Sequence, residues 1–498
     1  MSGRLRWAEA VLDAADVAAP IEARLPTGGR PRQLSVRTLL VGMLLAAADG
    51  RPAHLVRVHR ALVGLAVADR RRLGVEVQWR RGRHTLTYRQ VERTFGLVVG
   101  VLDATGGDGA PSEELAALTD ELCEASVPTE WKEATTALAV DWSDLETWAL
   151  APRSDGVSAD RDASWGRRGP TTIFGGRDEL FFGYHPQVAT MVREEHGPPV
   201  PELVRRVLLT SCKVDPPPAF VAVLERMATA GVAIGDVLAD SGYAHRVASR
   251  WALPLRRLGA RLVVDLHPSD RGPKGTHAGA VIANGNCYCP ATPPALLTLT
   301  PPAPRAGAAD LAAHDAKTAE AARYKLGRIS APDADGFHRV SCPALAHKLR
   351  CPLRPASMNL PFDRPEVTEP PPEPPRCCVQ QTVTVPPEVN AKTAQAHDYP
   401  SAAHRASYAR RTGSERAFST IKDSATTDIG RGWCRVMGLT AITLFFVCAV
   451  VARNERVHAA FQVRQAENER RAAAGLPPKT RRRRRRTIGD LVASAAPP

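Results

Sequence analysis

Residues 220–268, FVAVLERMATAGVAIGDVLADSGYAHRVASRWALPLRRLGARLVVDLHP, alternate between two hydrophobic patterns. In 220–231 the apolar side chains recur three and four apart, which predicts a helix, while IGDVLAD (234–240) is a short apolar run ending at an acid, which predicts a strand. A second helix is expected over AHRVASRWALPLRRLG (244–259) and a further strand over ARLVVDLHP (260–268). Upstream, ALAVD (137–141), LFFGYHPQVATMV (180–192) and LVRRVLLTSC (203–212) also read as strands, and the polar, Gly-rich residues 150–178 as a loop. Short apolar strands alternating with helices define an α/β sheet.

The flanks differ in character. Residues 34–70 and 86–104 carry helical periodicity, so 1–110 reads as a helical N-terminal domain closed by the Gly-rich TGGDGAPS. The first part of the α/β core spans 135–269. Residues 290–400 then hold 20 of the 42 prolines and 287–378 hold six of the ten cysteines, so 270–402 reads as an insertion with little regular helix or central strand. TVTVPPEV (382–389) is its one expected edge strand. Helical pattern resumes over 403–476, and 477–498 is a basic tail.

Composition narrows the function classes. With 44% hydrophobic residues the chain can bury sizeable cores, and ten cysteines in 498 residues are too few for a disulfide scaffold. MSGRLRWAEAVLDAAD has no apolar h-region, so the expected location is the reducing cytoplasm. The uncharged stretch 436–452 is only 17 residues long and runs into a charged helical segment, so it is expected to be a buried helix and no membrane partner is expected. The formal charge is +14, and KTRRRRRR (479–486) supplies seven of those charges, which points to a polyanionic partner.

Three places can carry chemistry. Asp141 and Asp240 each end a predicted strand, the edge of an α/β sheet where ligands bind; the plainer reading is an acid that opens a turn or caps a helix. In RASYARRTGSERAFSTIKDS (405–424), Tyr408, Arg411, Glu415 and Lys422 fall within roughly 60° of one another on a helix, with Ser414, Ala417 and Ile421 opposite. The plainer reading here is a solvated face with an ordinary Arg411–Glu415 ion pair, and Gly413 weakens the helix.

The spacing Y-(2)-R-(3)-E-(6)-K set by these four residues resembles the signature of DDE transposases of bacterial insertion sequences, in the subgroup with a large insertion before the glutamate. ALAVDWSD, LFFGYHPQVATMV and VLADSGYAHR are similar to that family's segments around the two acids. The bulky Trp142 departs from the pattern, and Asp144 and Glu146 lie within reach as alternative first ligands. The resemblance covers a little over a third of the chain. It implies an RNase H-like fold in which Asp141, Asp240 and Glu415 hold Mg²⁺ or Mn²⁺, two ions serving the attacking and leaving oxygens of phosphodiester cleavage. It further implies that Arg411 and Lys422 hold phosphates and Tyr408 packs against DNA, with double-stranded DNA as partner, a homodimer on that DNA, and a nucleoid-associated location. A metal-dependent nuclease without strand transfer and an inactive DNA-binding derivative remain alternatives.

Cys287, Cys289, Cys342, Cys351, Cys377 and Cys378 contain no C-x₂-C pair, so two readings stay open: Zn²⁺ ligands or free buried thiols. Arg481, Arg482, Arg483, Arg484, Arg485 and Arg486 read as a flexible arm that meets phosphates rather than base edges. Deleting 479–498 is therefore expected to weaken binding to all duplex DNA alike and, with roughly four to seven phosphates released at about 0.9 each, to flatten the slope of log K against log salt by about four to six. Loss of discrimination between duplex sequences with an unchanged salt slope would refute that role.

Overall fold

A computed structural model describes residues 3–479, apart from 29–31, 51, 80–81, 104–107, 154–155, 170–178, 304, 334, 424–425, 427–428 and 433. Arg481–Arg486 therefore lie outside the described residues. The chain is a mixed α/β protein. Its centre is a seven-stranded sheet whose five main strands, β1 (Leu138–Trp142), β2 (Glu179–Met191), β3 (Val204–Ser211), β4 (Asp236–Ala239) and β5 (Arg261–Val264), follow the spatial order β3-β2-β1-β4-β5. β2 runs antiparallel to β1 and β3, whereas β4 and β5 run parallel to β1. All five lie where the apolar runs predict them.

Two sequence expectations fail nearby. Ser164–Arg168, inside the expected loop, is a strand paired with the outer half of β2. Gly166 is its only buried residue, so it carries no hydrophobic alternation to read. The helix expected over 244–259 is instead a set of short pieces, Ser241–Ala244, Ala248–Arg250 and Ala252–Arg257. Trp251, at φ −145°, breaks the run and turns its indole onto Tyr243 with ring centroids 4.7 Å apart. Pro254 also lacks the amide that a continuous helix needs.

Eight principal helices surround the sheets: α1 (Gly3–Ala15), α2 (Val36–Ala48), α3 (Tyr88–Leu102), α4 (Glu113–Ala125), α5 (Pro216–Thr229), α6 (Ala308–Tyr324), α7 (Thr412–Ile421) and α8 (Leu439–Ala473). α5 covers one face of the central sheet, Phe220, Leu224 and Met227 packing on Leu138, Val140 and Leu208. The other face, through Val188, Val207 and Leu209, shares one continuous core with α1 to α4, α7 and α8. The N-terminal helices therefore close on the C-terminal one rather than on themselves alone.

α8 explains the apolar stretch. Every residue from Leu439 to Asn454 is buried, while beyond it only Phe461 is. A helix apolar all round belongs inside a core or a membrane; here it is clasped by α2, α4 and the sheet edge. No described helix is long and apolar enough to cross a membrane. The Leu439 N–H donates to Asp162 Oδ2 at 2.8 Å, satisfying one open amide of the first turn. At the buried end, Arg453 donates to Thr420 Oγ1 (2.9 Å) and to the Glu202 carbonyl (2.6 Å), and burial pushes its pKa down to about 10.

Asn454 acts as a one-residue extension of the sheet. Its Oδ1 accepts from the Val204 N–H at 2.9 Å and its Nδ2 donates to the Val204 carbonyl at 2.8 Å.

The 270–402 segment leaves after β5 and is largely irregular, but it holds two three-stranded antiparallel sheets, Pro273–His277/Ala280–Ala283/Asn286–Tyr288 and Gly327–Arg328/His338–Ser341/Val383–Val385. Val383–Val385 lies at a sheet edge, with Pro386 and Pro387 following. The 17-residue α6 was not expected; it occupies the proline-free stretch 305–331. The chain returns to the core where the Ala396 N–H donates to the Leu262 carbonyl at 2.9 Å.

Asn454→Ala leaves the Val204 amide and carbonyl buried without partners and is expected to destabilise the protein by about 2–4 kcal/mol in denaturant titration. A variant as stable as the parent would mean the edge strand is satisfied in another way.

Candidate functional site

The register of β1 and β4 builds the site. Leu138 pairs with Val237 and Ala139 with Leu238 in parallel, and the same offset carried two residues further sets Asp141 opposite Asp240. Strands lie about 4.8 Å apart and equal register means equal facing, so both carboxyls emerge side by side at the C-terminal edge. Asp240 also caps the short helix Ser241–Ala244, its Oδ1 accepting from Gly242 N (3.0 Å) and Tyr243 N (3.3 Å). The capping reading of that acid is thus real, and Oδ2 is left without a hydrogen bond among the described residues. Asp141 Oδ1 accepts its neighbour's N–H, from Trp142, at 2.9 Å, and Oδ2 faces Arg411 Nη1 at 3.7 Å.

Trp142, the departure from the expected small residue, packs its indole edge-on to Tyr243 at 4.6 Å between centroids. Gly242 makes room for it, since a Cβ there would lie 2.4 Å from the indole.

α7 and the short helix before it, Ala402–Tyr408, cross the same face. Gly413 is what lets α7 approach, because a Cβ at that position would sit 2.5 Å from Val192 Cγ1, just past the end of β2. Gly413, Ser414, Ala417, Phe418 and Ile421 are buried, and Glu415 is exposed on the opposite side. Arg411 bridges the elements. It is paired with Glu415, lies beside Asp141, and sits 5.6 Å from the centre of the Tyr408 ring. Tyr408 is stacked in turn on the buried His404, whose Nε2 lies 3.0 Å from the Val264 carbonyl.

Two carboxyls three residues apart meet opposite fates. Burial first and the neighbouring Asp240 second push Asp141 up to about 7, against the pull of Arg411. Asp144 is held below the ordinary carboxyl range although burial opposes this, because Lys422 (Nζ–Oδ1 3.0 Å) and Arg168 (Nη2–Oδ2 2.7 Å) both pair with it. Arg168 also reaches Glu146 at 2.5 Å. The alternative ligands Asp144 and Glu146 are thus committed to cations, and Lys422 points to Asp144 rather than to the Asp141–Asp240 pair.

The donor set of Asp141, Asp240 and Glu415 is all oxygen and comes from three elements, which suits Mg²⁺ or Mn²⁺. Burial is the first cause of the upward shift of Asp141 and the neighbouring Asp240 the second, and it is the second that a divalent cation would offset. The three do not bring ligand oxygens all within 4.8 Å of one another; among the described residues the one group that does is His245, His267 and Asp270. That group lies beyond β4 and β5, and Asp270 Oδ1 is already paired with Lys392 Nζ at 2.7 Å. The six cysteines of the insertion are all buried and free.

Sequence reading missed the residues that hold α7 in place. Arg410, next to Arg411, is buried against Asp236 at the start of β4, with Nη2–Oδ2 at 2.6 Å. Its only signal is adjacency: consecutive residues on a helix point about 100° apart, so one arginine of the pair must turn inward when the other faces the site. Arg168 had no signal, since its strand was read as loop.

No known protein-family model matches the chain, and no curated protein shows significant similarity to it.

Because Asp141 titrates higher in the folded chain than its ordinary value, the native state keeps a proton that the unfolded chain releases between about pH 4 and 7, and its contribution to stability falls as pH rises through that window. In chelator-containing buffer, Asp141→Asn is expected to stabilise the protein by roughly 1–3 kcal/mol near pH 8 and by almost nothing near pH 4. An equal effect at both pH values would show that ionisation is not the cause.

Proposed function

We propose that the protein is a cut-and-paste DNA transposase that cleaves phosphodiesters at the ends of its own element and joins them to target DNA. The observation that carries this reading is the β1–β4 register that sets Asp141 opposite Asp240, with Arg411 beside Asp141 and paired in turn with the exposed Glu415 of α7. A β3-β2-β1-β4-β5 order with β1, β4 and β5 parallel supports an RNase H-like core interrupted by the 270–402 insertion.

Asp141, Asp240 and Glu415 would hold Mg²⁺ or Mn²⁺, which when bound activates the attacking oxygen and stabilises the leaving 3′ oxygen. The chain's own side chains do the positioning. Arg411 balances the carboxyl cluster and offers guanidinium donors where a scissile phosphate would lie, and the Tyr408 ring under it limits its swing. Lys422 and Arg168 keep Asp144 anionic and out of the cluster. Double-stranded DNA is the partner in this reading and a homodimer on DNA its working form.

Asp141→Ala, Asp240→Ala and Glu415→Ala are each expected to lower metal-dependent cleavage by roughly two orders of magnitude or more while duplex binding persists. The assay uses the element's own ends with a target duplex. Cleavage without joining would favour the nuclease reading, binding without either an inactive derivative, and near-normal cleavage by one variant would remove that residue from the triad.

A further inference from the structure

Three side chains converge beside the carboxylate edge without a part in the proposed reaction. His245 closes the short helix Ser241–Ala244 that Asp240 opens, His267 lies just past the end of β5, and Asp270 ends the one-turn helix Pro268–Asp270. One ligand atom from each lies within 4.8 Å of those of the other two. The two imidazoles rest against each other, centroids 4.1 Å apart and planes 37° from parallel. His245 Nδ1 is 3.3 Å from Asp270 Oδ2. That is long for a hydrogen bond to a carboxylate, for which about 2.7–3.0 Å is usual. It matches the edge of a metal tetrahedron instead: two ligands about 2.0–2.1 Å from a zinc ion and roughly 109° apart lie about 3.3–3.4 Å from one another.

The trio is held from outside as metal ligands are. Lys392 Nζ donates to Asp270 Oδ1 at 2.7 Å, which leaves Oδ2 to the histidines. Ser269 engages His267 Nδ1, with Oγ at 2.6 Å and N at 3.2 Å, so Nε2 is the nitrogen of that ring left without a hydrogen-bond partner among the described residues. Hydrogen bonds of this kind, to the second nitrogen of a ligating imidazole and the second oxygen of a ligating carboxylate, fix the orientation of both. Two further cations close in sequence are committed elsewhere, Arg246 to Asp215 and Arg271 to Asp265, so neither competes for Asp270.

The donor set selects the ion. Asp141, Asp240 and Glu415 offer oxygen alone, whereas two imidazoles and one carboxylate favour Zn²⁺ over Mg²⁺. With the His245 side chain 44% exposed, water can complete the shell, and the Lys392 charge nearby makes the ion exchangeable. The position is the neck of the insertion. The chain leaves the core through His267–Asp270 and returns past Lys392 to Ala396, whose N–H donates to the Leu262 carbonyl, and the Asp270–Lys392 pair already ties the two passes together. His245 belongs to neither pass. It stands five residues after Asp240, about 7–8 Å along a helix, so an ion shared with it fastens the neck to the element that carries the second acid.

We propose that His245, His267 and Asp270 bind one Zn²⁺, separate from any ion at the carboxylate edge, and that this ion clamps the neck of the 270–402 insertion to the helix opened by Asp240. Two neutral imidazoles and one carboxylate displace water from the ion, and Ser269 and Lys392 orient them. The site stands independently of the transposase reading.

The test is equilibrium dialysis of the full-length protein against Zn²⁺, with excess Mg²⁺ present to hold the carboxylate edge. The parent is expected to take up about one equivalent more than His245→Ala or His267→Ala, or to bind that equivalent about tenfold more tightly or better. Zn²⁺ should also slow limited proteolysis within 270–402 several-fold in the parent and leave it unchanged in His245→Ala. The His245 side chain is partly exposed, so its replacement leaves the fold in place, and His245→Ala decides alone should His267→Ala be insoluble. Equal uptake by the parent and His245→Ala overturns the proposal, whether the ion is then lost with Asp141→Asn at the carboxylate edge or with Cys342→Ser among the thiols. Histidine-dependent uptake that gives the insertion no protection overturns the clamp.

Discussion

The enclosure of α8 from Leu439 to Asn454 is the constraint on which the rest rests. Each fully buried aliphatic or aromatic side chain contributes about 1.5–3 kcal/mol, so this stretch supplies a large share of the drive that gathers α1 to α4, α7 and the sheet into one core. Its last two buried residues are polar, and that fixes the register. Arg453 and Asn454 can stay inside only where Thr420, Glu202 and Val204 meet their donors and acceptors, so the helix has one depth at which it fits. Thr420 belongs to α7, and the depth of α8 thereby sets the height of the helix that carries Glu415.

The site is arranged by a division of charge. Each neighbour pair in sequence is split: Arg410 is spent on the buried Asp236 while Arg411 faces the carboxyls, and Asp144 is neutralised by two cations while Asp141 is crowded by another acid. Environments that push two nearby carboxyls in opposite directions assign them different tasks. Asp144 organises Lys422 and Arg168; Asp141 is buried beside Asp240 and faces Arg411.

The strands were legible because the central sheet is covered on both faces, so each strand reads as an apolar run. The two acids were legible because they end such runs. What the chain hid was decided by tertiary contact. Ser164–Arg168 is a strand only because β2 extends far enough to pair with it, and the break at Trp251 follows from an indole that packs better off the helix than on it. Gly413 looked like a flaw in a helix and is a close approach to Val192. α6 had a readable signal, a proline-free alanine-rich stretch, that the surrounding prolines obscured. The Lys422–Asp144 pairing was not legible at all, since it needs the relative height of two elements.

The shared core of α1 to α4 with α8 also has a consequence for the order in which the chain is made. On the ribosome the N-terminal helices emerge more than three hundred residues before the helix that covers them. Their apolar faces must therefore wait, shielded by chaperones or by transient contacts, through synthesis of the whole sheet and insertion. A chain that stops early lacks Glu415 and the element that closes its first hundred residues, so it is left both without a complete carboxyl cluster and open to degradation. Completion of translation and assembly of the site are in this way a single event.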